Sequence, residues 1–426
     1  MDQLAGSSRL LRAINETAAL GHLLERGPLT RGDLRELTGL AKPTTSDVLR
    51  RLQDAGLAKV VGRTSGGPGP NAEVYAVNPD AAYTAAVSVR ARDSSIATAV
   101  CDLTGTVRAR RETTVDAQPD NPVQAVADAI QAACRQARIP LRRLDHVQLG
   151  VPGSYDERTD AIRYVDVPGW SEPGLIGEIR GRLRTEVSVD NDANLAAVAE
   201  RTRGLAGDAD GFVLLWLGEE GLGLAIDLGG TLLRGARGGA GEIGYMPVGL
   251  PAQGDEGGPS VVHDFHDLVS GPAVRELALR HGIRADSGHE AVIAAVGRLD
   301  DVARQRQFAH AGDEGRPPVS ERWSRREHGL SAESAHWAQF MDALAIRIAV
   351  GLAAVIAVLD PPRVVLAGDV GQAGGGQLAD AVMAAMRQLS VLETSVVATG
   401  VSDDAVLLGA LDAGLGTVRA SLLGRR

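Results

Sequence analysis

The chain has 426 residues, 44% of them hydrophobic and 23% charged, with a net charge of −10. That length exceeds one ordinary core and predicts two or three domains. No apolar run approaches the roughly 20 residues of a bilayer span and no secretory pattern opens the chain, which predicts a cytoplasmic location, and the two cysteines, Cys101 and Cys134, exclude a disulfide framework or a cysteine-based zinc cluster.

The acidity is uneven. Residues 1–78 hold ten Lys and Arg against eight Asp and Glu, +2, which leaves −12 for the remainder. An acidic body repels nucleic acid, so any DNA contact falls to the N-terminal segment. There Leu10, Leu11, Ile14, Ala18, Leu23 and Leu24 mark an amphipathic helix to about Arg26, stopped by Gly27-Pro28. Thr30 caps a second helix, with Asp33 three residues on completing a capping box and Leu34 and Leu37 facing inward. Gly39 turns the chain into a third helix with Pro43 in its first turn and Val48, Leu49 and Leu52 on its inner face. Lys42, Thr44, Ser46, Asp47, Arg50 and Arg51 are left pointing outward.

Two strands, at Val60-Val61 and residues 73–77, flank a Gly/Pro-rich tip at residues 64–71. Three short helices followed by this ribbon describe a helix-turn-helix with a wing. The alternative is a small helical interaction domain whose basic residues are only solvated. On the DNA reading, Lys42, Thr44 and Ser46 approach base edges in the major groove, with Pro43 and Thr45 in the same turn. Arg50 and Arg51 meet phosphates, and Arg63 follows the backbone or the minor groove.

Asn78-Pro79-Asp80 is a linker candidate. Strands are predicted at residues 85–89, 96–101, 107–111 and 147–151, with a helix at 122–138, and the fourth strand ends in Pro152-Gly153. A hairpin-like stretch then leads to Asp166 and Trp170, and a helix follows at 176–184. The next strand, through Val187 and Val189, ends in Asp190-Asn191-Asp192, and a helix runs from Ala193 to Arg203. Strand-to-helix junctions of α/β proteins gather backbone N–H groups and side chains around ligands. Asn191 offers a donor and an acceptor, and Asp192 a carboxylate, a pair suited to a polyhydroxylated ligand or to taking a proton from a hydroxyl. An Asp/Asn helix cap accounts for the same residues equally well.

Beyond it, strands at 212–217, 223–227, 231–234, 363–367 and 395–398 alternate with helices at 274–281, 291–305, 335–359, 378–389 and 405–422, and residues 286–334 read as a polar insertion. Strands and helices alternating in two halves indicate an α/β body.

In order and spacing these pieces resemble the ROK family (repressors, open reading frames, kinases), and within it the winged-helix regulators. The resemblance covers nearly the whole chain. GPLTRGDLRELTGLAKPTTSDVLRRLQDAGL (residues 27–57) is similar to the family's DNA-binding helices. LGVPG (149–153), VPGW (167–170), VDNDANLAA (189–197) and GAGEIGYMPV (239–248) are similar to its sugar-site segments, and VSGPAV (269–274) and DPPRVVLAGDV (360–370) to its C-terminal part. The resemblance implies two actin-like (ribonuclease H-like) α/β lobes behind a winged helix-turn-helix at residues 1–78. Lobe 1 would take about 82–190 plus the C-terminal helix, and lobe 2 about 191–400.

It also implies that Gly153, Asn191, Asp192 and Glu242 contact sugar hydroxyls, Asp192 matching the base of the family's kinases. Asp166, Tyr245 and His266 join them as effector-binding candidates, Tyr245 where the family has a zinc-binding histidine and His266 where it has a sugar-contacting glutamate. The three cysteines of that zinc site are absent here, and His263 and His266 on one helix face are solvated groups more readily than metal ligands. No metal and no cofactor are expected.

The departures from the family bear on chemistry. Where its kinases hold ATP phosphates with DxGGT, residues 87–93 read VSVRARD, and the second phosphate loop reads Gly218-Glu219-Glu220-Gly221. Side chains block the close backbone approach of phosphate, and carboxylates repel it. Asp227-Leu228-Gly229-Gly230-Thr231 does match DxGGT, but lies between apolar strands and reads as a hairpin turn. The expectation is a regulator, a repressor rather than an enzyme, which binds an inverted-repeat operator as a homodimer and answers to a sugar-like effector. A sugar kinase carrying a DNA-binding domain, and a regulator answering to a protein partner, stand as alternatives.

Overall fold

The computed structural model describes residues 2–64, 72–90, 95–114, 121–164, 167, 169–248, 264–310, 332–389, 391–401 and 403–424. Three helices open the chain: α1 (Asp2–Arg26), α2 (Arg31–Thr38) and α3 (Lys42–Asp54). A small sheet of β1 (Leu29–Thr30), β2 (Ala58–Arg63) and β3 (Glu73–Val77), in the order β1-β3-β2, completes a winged helix. The wing tip, residues 65–71, lies outside the described residues.

Local chemistry sets these boundaries. Thr30 Oγ1 accepts from the Asp33 amide at 3.2 Å, Asp33 accepts from the Thr30 amide at 2.8 Å, and Gly39 closes α2 with φ +68°. Thr30→Ala removes half of this reciprocal cap and is expected to cost about 1 kcal/mol. The measurement is amide exchange in α2, which should quicken several-fold. α3 starts without a side-chain cap, Ala41 having none to offer. Leu20, Leu23, Leu34, Leu49 and Leu52 form the core of this head, while Leu10, Leu11 and Ile14, read from sequence as part of the buried stripe, are exposed. α1 is about 38 Å long against about 20 Å for α3, and its residues 10–12 and Ile14 are exposed whereas Ala19, Leu20 and Leu23 are buried.

The linker candidate is a stapled junction. Asn78 donates to Gly56 O at 2.9 Å, Leu103 N to Pro79 O at 3.1 Å, and the Tyr83 hydroxyl to Asp80 at 2.7 Å.

The chain divides into two compact units, one of Met1–Val151, Thr159–Asp190 and Leu407–Arg426, the other of Pro152–Arg158 and Asn191–Val406. Beyond the head, the first unit holds β4 (Tyr83–Arg90), β5 (Ser95–Asp102), β6 (Val107–Thr114), α4 (Pro122–Ala137), β7 (Leu144–Val151), α5 (Leu175–Leu183) and β10 (Glu186–Asn191), with β8 (Ser154–Asp156) and β9 (Ala161–Arg163) intervening in sequence. Its sheet runs β10-β7-β4-β5-β6, with β4, β5 and β6 antiparallel and β7 parallel to β4.

The second unit holds α6 (Asp192–Arg203), β11 (Phe212–Leu217), β12 (Leu222–Leu228), β13 (Thr231–Leu232), α7 (His266–Val269), α8 (Gly271–Arg280), α9 (Gly288–His310), α10 (Ala332–Leu359), β14 (Arg363–Ala367), α11 (Gly368–Leu389) and β15 (Ser395–Ala398); α12 (Ala405–Gly424) returns the chain to the first unit. Its sheet runs β13-β12-β11-β14-β15, again an antiparallel meander continued by parallel strands. One plan thus occurs twice, the mark of an actin-like α/β fold.

Packing follows residue size. Ala193, Ala196 and Ala197 of α6 lie against Phe212, Leu214 and Ala225, and a Cβ on Gly223 would stand 3.1 Å from that of Ala193. α10 supplies Phe340, Leu344, Ile348, Leu352 and Ile356 to the main core of the second unit. The expectation that no apolar run reaches spanning length is corrected here. Two helices, Ala335–Leu359 and Ala405–Leu422, are long and apolar enough by length and composition to cross a membrane. Scattered charges at Asp342, Arg347 and Asp412 break the runs in sequence without lowering their average apolarity. Both place apolar residues in the cores, Leu407, Leu411 and Leu415 being buried in α12.

Candidate functional site

The β10–α6 junction is a helix cap around which polar groups gather. Asn191 ends the strand with φ −68° and ψ 150°, and its Oδ1 accepts from the Ala193 amide at 2.8 Å, so it is the N-cap of α6. Its Nδ2 donates to Gly153 O at 3.3 Å, which joins two effector-binding candidates that stand 38 residues apart. The next residue, Asp192, accepts from the Ala193 amide at 2.7 Å. A helix N-terminus ordinarily holds a carboxyl low. Here burial outweighs it and raises Asp192 to about 7, with the Glu242 charge adding to the rise against the Ala193 hydrogen bond.

Glu242, whose charge acts on Asp192, stands on a glycine-built turn. Gly238 has φ +76° and a Cβ there would lie 2.4 Å from Tyr155 O; Gly241 has φ +93° and its Cβ would lie 1.8 Å from Leu224 O. The backbone therefore lies flat on β8 and β12, and the Leu224 amide donates to Gly241 O at 2.9 Å. Ser154, which the sequence reading passed over, donates its hydroxyl to Glu242 Oε1 and fixes that carboxylate. Its only sequence signal is its place directly after Pro152-Gly153. Two half-buried carboxylates, a serine hydroxyl and an amide thus converge, and Asp192 gains or loses its proton near neutrality. Such a set grips hydroxyls as donors and acceptors alike, and it can take a proton from one.

Tyr245 follows Glu242 in a 3-10 turn, Ile243–Tyr245, and is 63% exposed. His266 opens α7, exposed, with its Cβ 3.8 Å from where a Gly244 side chain would start. Asp166 and His263 lie outside the described residues, as do residues 91–94 of the segment standing for the first phosphate loop. Among the described residues no group of three or more His, Cys, Asp or Glu side chains is placed to hold a metal ion.

The two glycine motifs part company. Asp227 to Thr231 is a hairpin turn: β12 and β13 pair Asp227 with Leu232 and Leu228 with Thr231, around Gly229 (φ +63°) and Gly230 (φ +88°). Asp227 accepts from the Gly230 amide at 2.8 Å and pairs with Arg201. The loop Gly218-Glu219-Glu220-Gly221 joins β11 to β12, closed by the Gly218 amide on Gly221 O at 2.9 Å. Glu219 folds back onto the start of α9, where Oε1 accepts from the Gly288 amide at 3.1 Å and Oε2 from the His289 amide at 2.9 Å. A helix N-terminus that would attract an anion already holds a carboxylate of this chain.

On the winged helix, Lys42 and Pro43 are exposed and Thr44 and Ser46 half-buried. Thr45 is corrected: it is 1% exposed, with its hydroxyl donating to Ala41 O, and it faces the head's core with Val48 and Leu49. One residue of α3's 100° turn separates it from the outer face. Arg50 is exposed but bridged to Asp47 at 2.6 Å and Asp54 at 3.1 Å; Arg51, half-buried, bonds Asp47 at 2.9 Å and lies 3.6 Å from Glu16. The expected phosphate contacts therefore start from cations already engaged. Arg63, 68% exposed at its side chain, makes a loose 3.8 Å pair with Glu73.

Comparison with known proteins agrees with this geometry. The model of the ROK family matches residues 86–413, and a model of the MarR family matches residues 11–66. The xylose repressor of Bacillus subtilis (strain 168) is 24% identical over 239 residues, 56% of this chain and 61% of that protein's length. The fold is shared with the crystal structure of a ROK family transcriptional regulator, a homologue of the Escherichia coli MLC protein, at TM-score 0.67 and 18% identity over 97% of this chain and 98% of that one. It is shared also with a ROK hexokinase from Thermus thermophilus, at TM-score 0.57 and 23% identity over 79% of this chain and 99% of that one.

Proposed function

The chain belongs to the ROK family, and on that premise we propose that it is a transcription regulator, a repressor, controlled by a sugar-like effector. Residues 1–78 read a double-stranded operator; residues 79–426 bind the effector through Gly153, Asn191, Asp192 and Glu242, with Tyr245, His266 and Asp166 around them. The observation that carries this reading is the combination of a winged helix with an intact polyol grip. Asp192, Glu242 and Ser154 are assembled, whereas Glu219 caps α9 where an anion would otherwise be drawn. The protein acts in the cytoplasm as a homodimer on an inverted repeat, two-fold protein symmetry matching two-fold DNA symmetry. The effector releases the operator only by binding the DNA-free state more tightly than the bound one.

Gel shifts with genomic fragments at fixed salt test the DNA half. Lys42→Ala with Thr44→Ala is expected to weaken specific binding by about 10- to 100-fold, the range of a lost base-edge contact. Arg50→Ala should change little, since its guanidinium is held by Asp47 and Asp54. No preferred fragment in the genome would defeat the proposal. Calorimetry with sugars and sugar phosphates tests the effector half, Glu242→Gln removing the heat.

One observation favours a second reading. A carboxyl that titrates near 7 is poised as a general base, which suits a sugar kinase. ATP turnover on any sugar, lost in Asp192→Asn, would establish it.

A further inference from the structure

We propose that a basic corner of the first unit, where the end of α4 meets the edge strand β6, holds the backbone of duplex DNA just outside the operator. This rests on the operator reading above and extends the contact from the head to the body. The −12 of residues 79–426 is unevenly spread. Residues 79–151 hold nine Lys and Arg against eight Asp and Glu, +1, and residues 152–426 hold 25 against 38, −13. The repulsion of nucleic acid by the body therefore belongs to the later residues. In the earlier ones folding gathers the cations. Arg111 of β6 donates to Gln136 Oε1 at 3.4 Å, which brings the sheet edge to the last turn of α4. Arg135 precedes that glutamine, Arg138 is the C-cap of α4 with φ +58°, and Arg142 lies in the 3-10 turn Leu141–Arg143 that follows. All four arginines are exposed, and among the described residues none of them bonds a carboxylate.

The neighbouring charges are already engaged. Arg108 bonds Asp102 at 2.6 Å and lies 3.4 Å from Asp80, while Arg143 donates to Asp80 O at 2.6 Å and stands 5.5 Å from the centre of the Tyr83 ring. These two fasten the corner to the stem of the head, since Asn78, two residues before Asp80, is bonded to Gly56 O. Glu112 pairs with Arg90 at 2.6 Å, and Asp145 accepts from the Tyr83 amide at 3.0 Å. Two ordinary accounts compete. Charge on an edge strand deters pairing with another strand, which covers Arg111, and cations offset the dipole at a helix end, which covers Arg135 and Arg138. Neither reaches Arg142. A corner of one sign selects a polyanion, and the winged helix belongs to the same compact unit. Once the head is on its operator, the flanking duplex is presented to the corner at high effective concentration. Guanidinium forks bond phosphate oxygens in pairs. Such contacts carry no base information, so they lengthen the footprint and steepen the salt dependence without altering sequence preference.

Hydroxyl-radical footprinting and salt titration of the full chain, on the genomic fragment it prefers in gel shifts, form the test. The parent is expected to protect sugar-phosphate backbone beyond the bases read by the head. Arg138→Gln with Arg142→Gln should lose that outer protection, and the slope of log K against log salt should fall by about 2, close to one per phosphate contact. On a duplex trimmed to the operator, parent and variant should bind alike. That equality also shows the variant to be folded, as should an unchanged circular dichroism spectrum. A parent that reads an operator, with the same footprint and slope in the variant, overturns the corner and leaves the operator reading standing. A parent that prefers no fragment overturns both. An unchanged footprint, together with binding of poly-glutamate by the parent that the variant loses, overturns the proposal in favour of an acidic protein.

Discussion

Gly241→Ala is expected to lower the unfolding free energy of the second unit by about 4 kcal/mol and to abolish effector binding, with no change in the winged helix. Two effects combine. At φ +93° an alanine is strained, which costs about 1–2 kcal/mol. Its Cβ would also stand 1.8 Å from Leu224 O, and that neighbour is backbone, held in β12 by its ladder to β11. Either the Leu224–Gly241 hydrogen bond breaks or the turn lifts off the strand, and both displace Glu242 from Ser154. Gly230→Ala isolates the first effect: φ is +88°, but nothing lies within 4 Å of the added methyl. It should cost only about 1 kcal/mol and leave the site alone. Urea denaturation followed by the tryptophans of the second unit, with calorimetry against the effector, measures both. Equal small losses from the two variants would mean that β12 yields, and that the turn is not the rigid support described above.

What the sequence disclosed and what it hid divide along one physical line. Signals that act over a few residues were legible: the Thr30–Asp33 cap, the turn at Gly39, the strands 212–217 and 363–367, and the Gly229-Gly230 hairpin all stand where periodicity and turn chemistry put them. Of the two readings of the Asn191-Asp192 junction, the helix cap is seen directly in Asn191, whose side chain also bonds Gly153 O.

Side-chain pairing across long separations was not legible. Ser154 meets Glu242 over 88 residues and Glu219 meets Gly288 over 69, and neither partner carries a mark of the other in its own neighbourhood. Glu219 was read only as a repulsive charge; its role as a cap needs the position of α9. Burial near a face boundary was lost as well. Thr45 is a polar residue between two polar residues, and only the tertiary packing of α3 puts it inside. The exposure of Ile346, Val350 and Val358 is hidden for the opposite reason, since a helix apolar all round gives no phase by which to tell its inner side from its outer.

Asp192→Asn should stabilise the protein at pH 8 by about 2 kcal/mol while it destroys effector binding. The sign follows from proton counting. The carboxyl titrates near 7 in the folded chain, raised chiefly by burial and further by Glu242, against an ordinary 3.8. Between those values the folded state keeps a proton that the unfolded state has released, so stability falls as pH rises through the window, and the loss is complete above 7. The full span corresponds to about 4 kcal/mol, and partial exposure of the side chain reduces this to about 2. Asparagine copies the protonated form and does not titrate, so the variant loses the slope. Urea unfolding at pH 5 and pH 8 reads the difference; parallel slopes in parent and variant would show that the buried carboxyl is not strained. Effector binding should move the other way. The ionised carboxylate is the better acceptor for a hydroxyl, so the parent's affinity should rise from pH 6 to pH 8, over the range where its stability falls. A residue kept only as a helix cap has no reason to hold that opposition, since Asn191 already caps α6 and a neutral side chain at 192 would serve the fold better. A variant that gains stability and loses the effector together is the result that separates a ligand group at Asp192 from a helix cap.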